Sequence, residues 1–416
     1  MKLKTFAAMK VKKSCTVKDR SLTLKADRHI FARLLVIRGK RDVSLKEVLT
    51  YSLGPIPWSL ATADGSFVKT VKSKLLDAIE KDVVDSIVDT LPDNCVRIFD
   101  GMVIIQQMAS LSLARFGEIS EYVLKRITSR PGKVIYFVTD QYLDDSLKGS
   151  ERQRQAASGS IWIHLTRRDQ KRPKQFKKYL SDGVNKVDLL RVEEDNVVIG
   201  MEESLCSNQE EADTKMFLCC QHAVHRFQNP NICISTVDSD VGILAIYFKQ
   251  QIHCNMFLEI GSKGKKRILS IQNISEGVGE QMSSALPALH AISGCDSTSA
   301  FYGLGKQKVY KIVKSCGRFK ETLAQMGDSF DFDTNLFLLV EEMVAQFYGI
   351  KGCTSINDAL YMKFCTKNKI PEPQQLPPTK DELLLHCQHA NYVTCIWKSA
   401  LTMNTDPPQP EGRGWL

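Results

Sequence analysis

The sequence predicts an α/β protein, and three observations carry that prediction. From Cys95 onward, short apolar runs at Val96 to Phe99, Val134 to Val138, Ile161 to Leu165 and Ile232 to Val237 are separated by segments long enough for helices. Such alternation builds a mostly parallel sheet flanked by helices. Three of these runs end in acid, at Asp100, at Asp140, and at Asp238 with Asp240, and ligands of open α/β sheets sit beyond the carboxyl ends of strands. Hydrophobic residues at 43% and charged residues at 25% are globular proportions, so the chain can bury a substantial core.

In chain order, residues 1–92 read as an amino-terminal extension. It has a basic start, an apolar segment Phe31 to Ile37, a loop Gly54 to Trp58 and a helical stretch from Val68 to Leu91. No chemistry attaches to it. Residues 93–285 hold the strand-rich core. Residues 286–370 read as helical, with the apolar stretch Leu336 to Tyr348 as core packing. Residues 371–416 begin with Pro371, Pro373, Pro377 and Pro378, continue with an expected helix, then Pro407-Pro-Gln-Pro410, and end in Gly-Arg-Gly-Trp-Leu, the look of an unstructured end or the stump of a longer protein.

Fifty-six Lys and Arg against 47 Asp and Glu leave a formal charge of +9, which permits a polyanionic partner. The basic residues gather in the first forty positions and again at Arg167, Arg168, Lys171, Arg172, Lys174, Lys177 and Lys178. Thirteen cysteines without a Cys-x-x-Cys pair fit a reducing compartment better than a disulfide framework. No apolar run reaches the length of a membrane span, so an intracellular, membrane-free protein is expected.

The chemistry is expected where acids crowd. Two like charges about 4 Å apart repel by roughly 1 to 4 kcal/mol between water and a protein surface, so a chain that gathers several carboxylates has usually arranged for a cation. Asn208-Gln-Glu-Glu-Ala-Asp-Thr-Lys215 brings three acids behind a candidate helix cap, just upstream of Asp238-Ser-Asp240. Gly294-Cys-Asp-Ser-Thr298 follows, leading into Gly303-Leu-Gly-Lys306. Glycines in that turn let backbone N–H groups approach phosphate at a helix start, with Lys306 supplying charge.

The order of these residues resembles the structure-specific 5′ nucleases, the flap-endonuclease superfamily with its PIN-like fold. Ile98-Phe-Asp-Gly-Met102 is similar to the family's first strand end, and Val138-Thr-Asp140 to the second, which leads to a basic gateway matched by Lys148, Arg152 and Arg154. Glu211-Ala-Asp-Thr214 is similar to the family's Glu-Ala-Glu-Ala helix start, with Asp213 one methylene shorter than the expected Glu. Asp238-Ser-Asp240 matches its Asp-x-Asp strand end, and Gly294-Cys-Asp296 the last acid before a helical hairpin. The first acid follows some hundred residues where the family has it near the amino terminus.

The resemblance implies a PIN-like core over 93–285 and a helix-hairpin-helix-type element within 286–370. It implies Asp100, Asp140, Glu211, Asp213, Asp238, Asp240 and Asp296 as ligands of two Mg²⁺ or Mn²⁺ ions, and Lys148, Arg152, Arg154, Gly303, Gly305 and Lys306 as nucleic-acid contacts. Residue chemistry agrees, since hard carboxylate oxygens suit such ions. The expected activity is a divalent-metal phosphodiesterase acting on DNA in preference to RNA, at branched or single-stranded ends, in the nucleus. The alternative is a nucleic-acid-binding scaffold that has kept the fold without turnover.

The chain also resembles a group of multi-copy animal proteins of mobile-element type, which share Ser52-Leu-Gly-Pro-Ile-Pro-Trp-Ser-Leu60 and Leu289-His-Ala-Ile-Ser-Gly-Cys-Asp296. Those relatives tend to run on into a cysteine-rich tail, which implies a truncated copy. His386-Cys-Gln-His389 with Cys395 matches no zinc spacing and reads as helix surface. Cys219-Cys220 reads as buried helix packing.

Overall fold

The computed structural model describes residues 12–17, 20–25, 44–52, 54, 56–108, 113–129, 132, 134–141, 167–180, 205–261, 266–365 and 372–414. The expected strand at 161–165 and the apolar segment at 31–37 lie outside them. Strands are β1 Lys12–Val17, β2 Arg20–Lys25, β3 Ile87–Val88, β4 Val96–Asp100, β5 Val134–Val138, β6 Asn231–Thr236, β7 Asn255–Ile260 and β8 Arg267–Ser270. The helices begin with α1 Leu45–Val48, α2 Ser73–Asp82, α3 Gly101–Met108, α4 Phe116–Thr128, α5 Phe176–Tyr179, α6 Ala212–Arg226 and α7 Ser239–Phe248. They continue with α8 Ile271–Val278, α9 Glu280–Ile292, α10 Lys306–Lys314, α11 Gly317–Gln325, α12 Thr334–Phe347, α13 Ile356–Cys365 and α14 Lys380–Lys398.

The chain forms two compact units, one from residues 1–78, 284–396 and 408–416, the other from 79–283 and 397–407. The second is an α/β unit around a six-stranded sheet in the order β3-β8-β7-β6-β4-β5. Strands β5, β4, β6 and β7 run parallel, while β8 and β3 join antiparallel at one edge. The expected apolar runs at 96–99, 134–138 and 232–237 are therefore strands.

Adjacent residues of β5 show why those runs are apolar. Tyr136 hydrogen-bonds His222 of α6 at 2.7 Å, whereas Phe137 packs against the cluster of Phe99, Ile105, Phe116, Ile119 and Tyr179 from β4, α3, α4 and α5. Successive side chains of a strand point to opposite faces, so both faces of the sheet are covered. A doubly covered strand need not alternate: all five residues of β4 from Val96 to Asp100 are buried, and consecutive Ile232, Cys233 and Ile234 of β6 are all inaccessible.

The helix expected over 68–91 stops at Asp82. The chain turns at Asp85, with φ +58°, and supplies β3 to the sheet edge through Ile87↔Leu269. Glu80 and Arg267 clasp in a bidentate pair at 2.8 and 2.6 Å, the geometry in which an ion pair is strongest. Residues 79–92 thus belong to the sheet unit and not to a separate extension.

In the other unit, β1 and β2 form an antiparallel hairpin. Residues 59–68 hydrogen-bond to 299–302: Ser59 O accepts from Tyr302 N at 2.8 Å, and Ala300 N donates to Val68 O at 2.8 Å. Ser299 Oγ also donates to Leu60 O. The string ending at Leu60 is thereby a packing partner of the segment after Gly294. Helix α12 buries Leu336, Phe337, Val340, Met343, Val344 and Phe347, the expected core role.

The helix expected in the carboxyl-terminal segment is α14, but the segment after it is packed and not an unstructured end, with Tyr392 of α14 donating its hydroxyl to Pro408 O at 2.8 Å. A second expectation is corrected on the same helix. His386, Cys387, His389 and Cys395 are buried, not on a helix surface. Burial lowers the His386 pKa to about 4, and burial with the charge of His386 lowers that of His389 to about 3. Their periodicity marked the inner face of α14. Among the described residues no helix is long and apolar enough to cross a membrane.

Candidate metal centre

The register of the sheet sets the site. Asp100 pairs with Val138, and Phe99 with Ser235, so the segments leaving β4, β5 and β6 emerge at one level. Each carries an aspartate, and each aspartate meets a helix start. Asp100 Oδ1 accepts from Val103 N of α3 at 3.2 Å. Asp238 Oδ1 accepts from Asp240 N of α7 at 2.9 Å. Asp140 Oδ1 accepts from Ala212 N, the first residue of α6, at 3.0 Å. Capping and clustering therefore coincide: orphan N–H groups and helix dipoles favour anions at three helix starts pointed to one sheet edge.

The fit is tight behind Asp100. A Cβ on Gly101 would stand 2.7 Å from Thr139 Cγ2 and 2.8 Å from the Phe137 ring, so only glycine lets β4 turn into α3 there. Thr236, a residue that periodicity alone did not single out, donates its hydroxyl to Asp100 Oδ2 at 2.9 Å and accepts from Asp238 N at 3.1 Å. It fixes both strand ends at once.

The electrostatics register the crowding. Asp213 lies one residue into α6, and its carboxyl is held well above its usual range by burial first, then by the charges of Asp238, Glu211, Asp100 and Asp240. Burial also raises Asp100, and Asp140 adds to the rise against the hydrogen bonds from Thr236 and Val103. Carboxylate oxygens of Asp238 and Asp240 lie within 4.8 Å of each other. Six of the seven acids expected at the site thus belong to one unit and act on one another. They are oxygen donors only, hard ligands of the kind that suit Mg²⁺ or Mn²⁺. Beside them Lys215 of α6 is lowered by burial, against the raising charges of Cys219, Cys206 and Asp140.

The start of α6 is also held from far along the chain. Asn208 Nδ2 donates to Thr405 O at 2.6 Å and its Oδ1 accepts from Thr405 N at 2.9 Å. Gln209 Nε2 donates to Ala400 O and Thr402 O at 3.0 and 2.7 Å. The expected helix cap at Asn208 instead ties the acid-bearing segment to residues 400–405. Within α6, Cys219 and Cys220 are buried free thiols, and burial pushes Cys219 up to about 12.

The seventh acid, Asp296, belongs to the other unit. Its side chain is 70% exposed and pairs with Lys72 at 2.8 Å, while Lys69 donates to its carbonyl at 2.9 Å. The residues around it build a turn. Gly294 sits at φ +99°, where a Cβ would strike Ala300, and Thr298 Oγ1 donates to Ala291 O at 2.6 Å and accepts from Cys295 N at 3.0 Å.

Lys306 corrects the expectation most sharply. Only 1% exposed, its ammonium lies against His290 Nδ1 at 3.1 Å, His290 O at 3.0 Å and Ser293 Oγ at 2.9 Å. It is an internal tie and does not present a charge for phosphate. Gly303, at φ +72°, and Gly305, the N-cap of α10, form the exposed turn before it. Lys148, Arg152 and Arg154 lie outside the described residues. Of the basic cluster, Arg172 donates to Met108 O at 3.0 Å and Arg168 pairs with Glu121 at 3.5 Å, so part of it is structural. No protein-family model matches this chain, and no curated protein matches it either.

Proposed function

We propose that the carboxylate cluster at the carboxyl edge of the parallel sheet is the centre of a divalent-metal-dependent nuclease, acting on phosphodiester bonds of DNA in preference to RNA, within the nucleus. The observation that carries this reading is the gathering of Asp100, Asp140 and Asp238 at the starts of three helices on one sheet edge, beside Asp213, whose carboxyl is held up by burial and by the charges of Asp238, Glu211, Asp100 and Asp240. Packed like charges of this kind are costly without a cation. The reading assigns Asp100, Asp140, Glu211, Asp213, Asp238 and Asp240 to two Mg²⁺ or Mn²⁺ ions.

Bound ions in such a set lower the pKa of water and stabilise charge on the leaving oxygen. The chain's own residues supply the rest. Thr236 holds Asp100 and the Asp238 backbone in register, and the starts of α3, α6 and α7 keep Asp100, Asp140 and Asp238 oriented. The PIN-like fold and the hairpin element remain part of this proposal, supported by the order of the acids along the chain.

The test is cleavage of flap, hairpin and linear DNA, and of RNA, in Mg²⁺ or Mn²⁺. Asp238→Asn with Asp240→Asn is expected to abolish cleavage while circular dichroism stays unchanged. Undiminished cleavage by that double variant overturns the reading, as does a wild-type chain that binds polynucleotide but cuts none of the substrates with either metal.

A further inference from the structure

A second feature lies wholly within the unit that contains α10. A cavity of about 230 Å³ opens beside the Gly303 turn, walled by Tyr302, Gly303, Lys308, Tyr348, Lys363 and Gln375. Tyr302 is 41% exposed, although its backbone is fixed by the Ser59 carbonyl at 2.8 Å. An anchored backbone under an exposed ring makes a platform. Lys363 donates to Tyr348 O at 2.7 Å, and Lys308 is a further cation of the lining.

Lys308 opens a stripe. Lys308, Lys311 and Lys314 recur every third residue of α10 and are exposed, while Val309, Tyr310 and Val313 turn inward. The helix Lys306-Gln-Lys-Val-Tyr-Lys-Ile-Val-Lys314 contains no acid. A solvated helix face ordinarily mixes signs, as Glu–Lys pairs do. Here a single-sign stripe runs from an exposed aromatic ring and a cavity smaller than the usual 300 Å³ or so of a drug-sized site. One planar ring suits that space.

We infer that this cavity takes a single base of a single-stranded polynucleotide, stacked on Tyr302, with Lys308, Lys311 and Lys314 following its phosphates. Aromatic stacking tolerates any base, and a basic track supplies salt-dependent grip. The inference does not depend on cleavage: the strand is held within the unit that contains α10, and binding is measured without divalent metal.

The test is fluorescence anisotropy of labelled oligothymidylate, oligouridylate and a blunt DNA duplex with the full chain in EDTA. Tyr302→Ala is expected to weaken single-strand binding by roughly 5- to 150-fold, the range of one stacked base, and Tyr302→Phe to restore it. Lys308→Ala with Lys311→Ala should lower the slope of log affinity against log salt by about 1.4, at about 0.7 per phosphate on a single strand. Comparison of the two oligonucleotides reports the preferred sugar. Unchanged binding by Tyr302→Ala overturns the inference, as does equal affinity for the duplex or no single-strand binding. Because cleavage is read separately, failure here leaves the nuclease reading standing, and the converse also holds.

Discussion

The carboxylate cluster of the sheet unit and the Lys306 nest of the other unit both place charge inside protein, but they resolve it in opposite ways. Lys306 is surrounded by acceptors: two oxygens and a ring nitrogen within 3.1 Å. Asp213 is surrounded by its own sign, from Asp238, Glu211, Asp100 and Asp240. Burial of a charge is tolerated where partners compensate it. The nest is therefore a finished piece of architecture, whereas the cluster holds an excess that a ligand can relieve. Sequence motifs alone had given both the same functional weight.

The contrast predicts opposite signs for neutralising substitutions. The largest effect belongs to the nest: His290→Leu strips Lys306 of its ring-nitrogen partner, leaving only the His290 carbonyl and Ser293 Oγ around a buried charge, and is expected to destabilise the protein by about 3 kcal/mol in urea unfolding. A change below 1 kcal/mol would mean that Lys306 is not tied inward. Next comes the cluster with its ligand. Mg²⁺ at a hundred times its dissociation constant should stabilise the wild type by about 2.7 kcal/mol and leave Asp238→Asn with Asp240→Asn unmoved in thermal melts.

Acidification sharpens the comparison from a third side. His386 and His389 stay neutral in the fold down to about pH 4 and 3, whereas the unfolded chain takes up protons below about 6.5. Between those limits the unfolded state binds more protons, so stability falls as pH falls, by about 1.4 kcal/mol per pH unit for each histidine. Replacing both with Phe should flatten that slope. Asp213 works in the other direction. Its raised folded-state pKa means that stability present below the unfolded carboxylate range is lost as pH rises through the folded value. Asp213→Asn is accordingly expected to stabilise the metal-free protein at pH 7 by about 1 kcal/mol, and to weaken Mg²⁺ binding measured by calorimetry.

The smallest effect separates the two glycines of the turn. Neither has a neighbour within 4 Å of its missing Cβ, but only Gly303 has positive φ. Gly303→Ala should cost about 1 kcal/mol and Gly305→Ala close to nothing.

Much of the sheet unit was legible because its information is local. Runs buried on both faces read as continuous apolar strings, and Asp100, Asp140 and Asp238 each follow such a string directly. The antiparallel edge was not legible. Two residues of β3 and four of β8 carry too little pattern to separate from helix or loop, and the helical pattern across 68–91 masked the turn at Asp85. Lys306 was misread for a different reason. Gly-x-Gly-Lys is the same string whether the lysine faces out or in, and what turns it inward is His290, sixteen residues earlier. The inner face of α14 similarly depends on what covers it, which composition does not state.

The pairing of Asn208 with Thr405 joins residues 197 positions apart, and this orders events during synthesis. All described strands of the sheet have been synthesised once Ser270 is added, yet the segment leading into Glu211 and Asp213 meets its hydrogen-bond partners at 400–405 only about 130 residues later. At about 5 to 20 residues per second, some 130 further residues take roughly 7 to 25 seconds. Throughout that interval the nascent chain carries the strands of the sheet with the acidic helix start still without these bonds, so the hold on that segment forms late in synthesis.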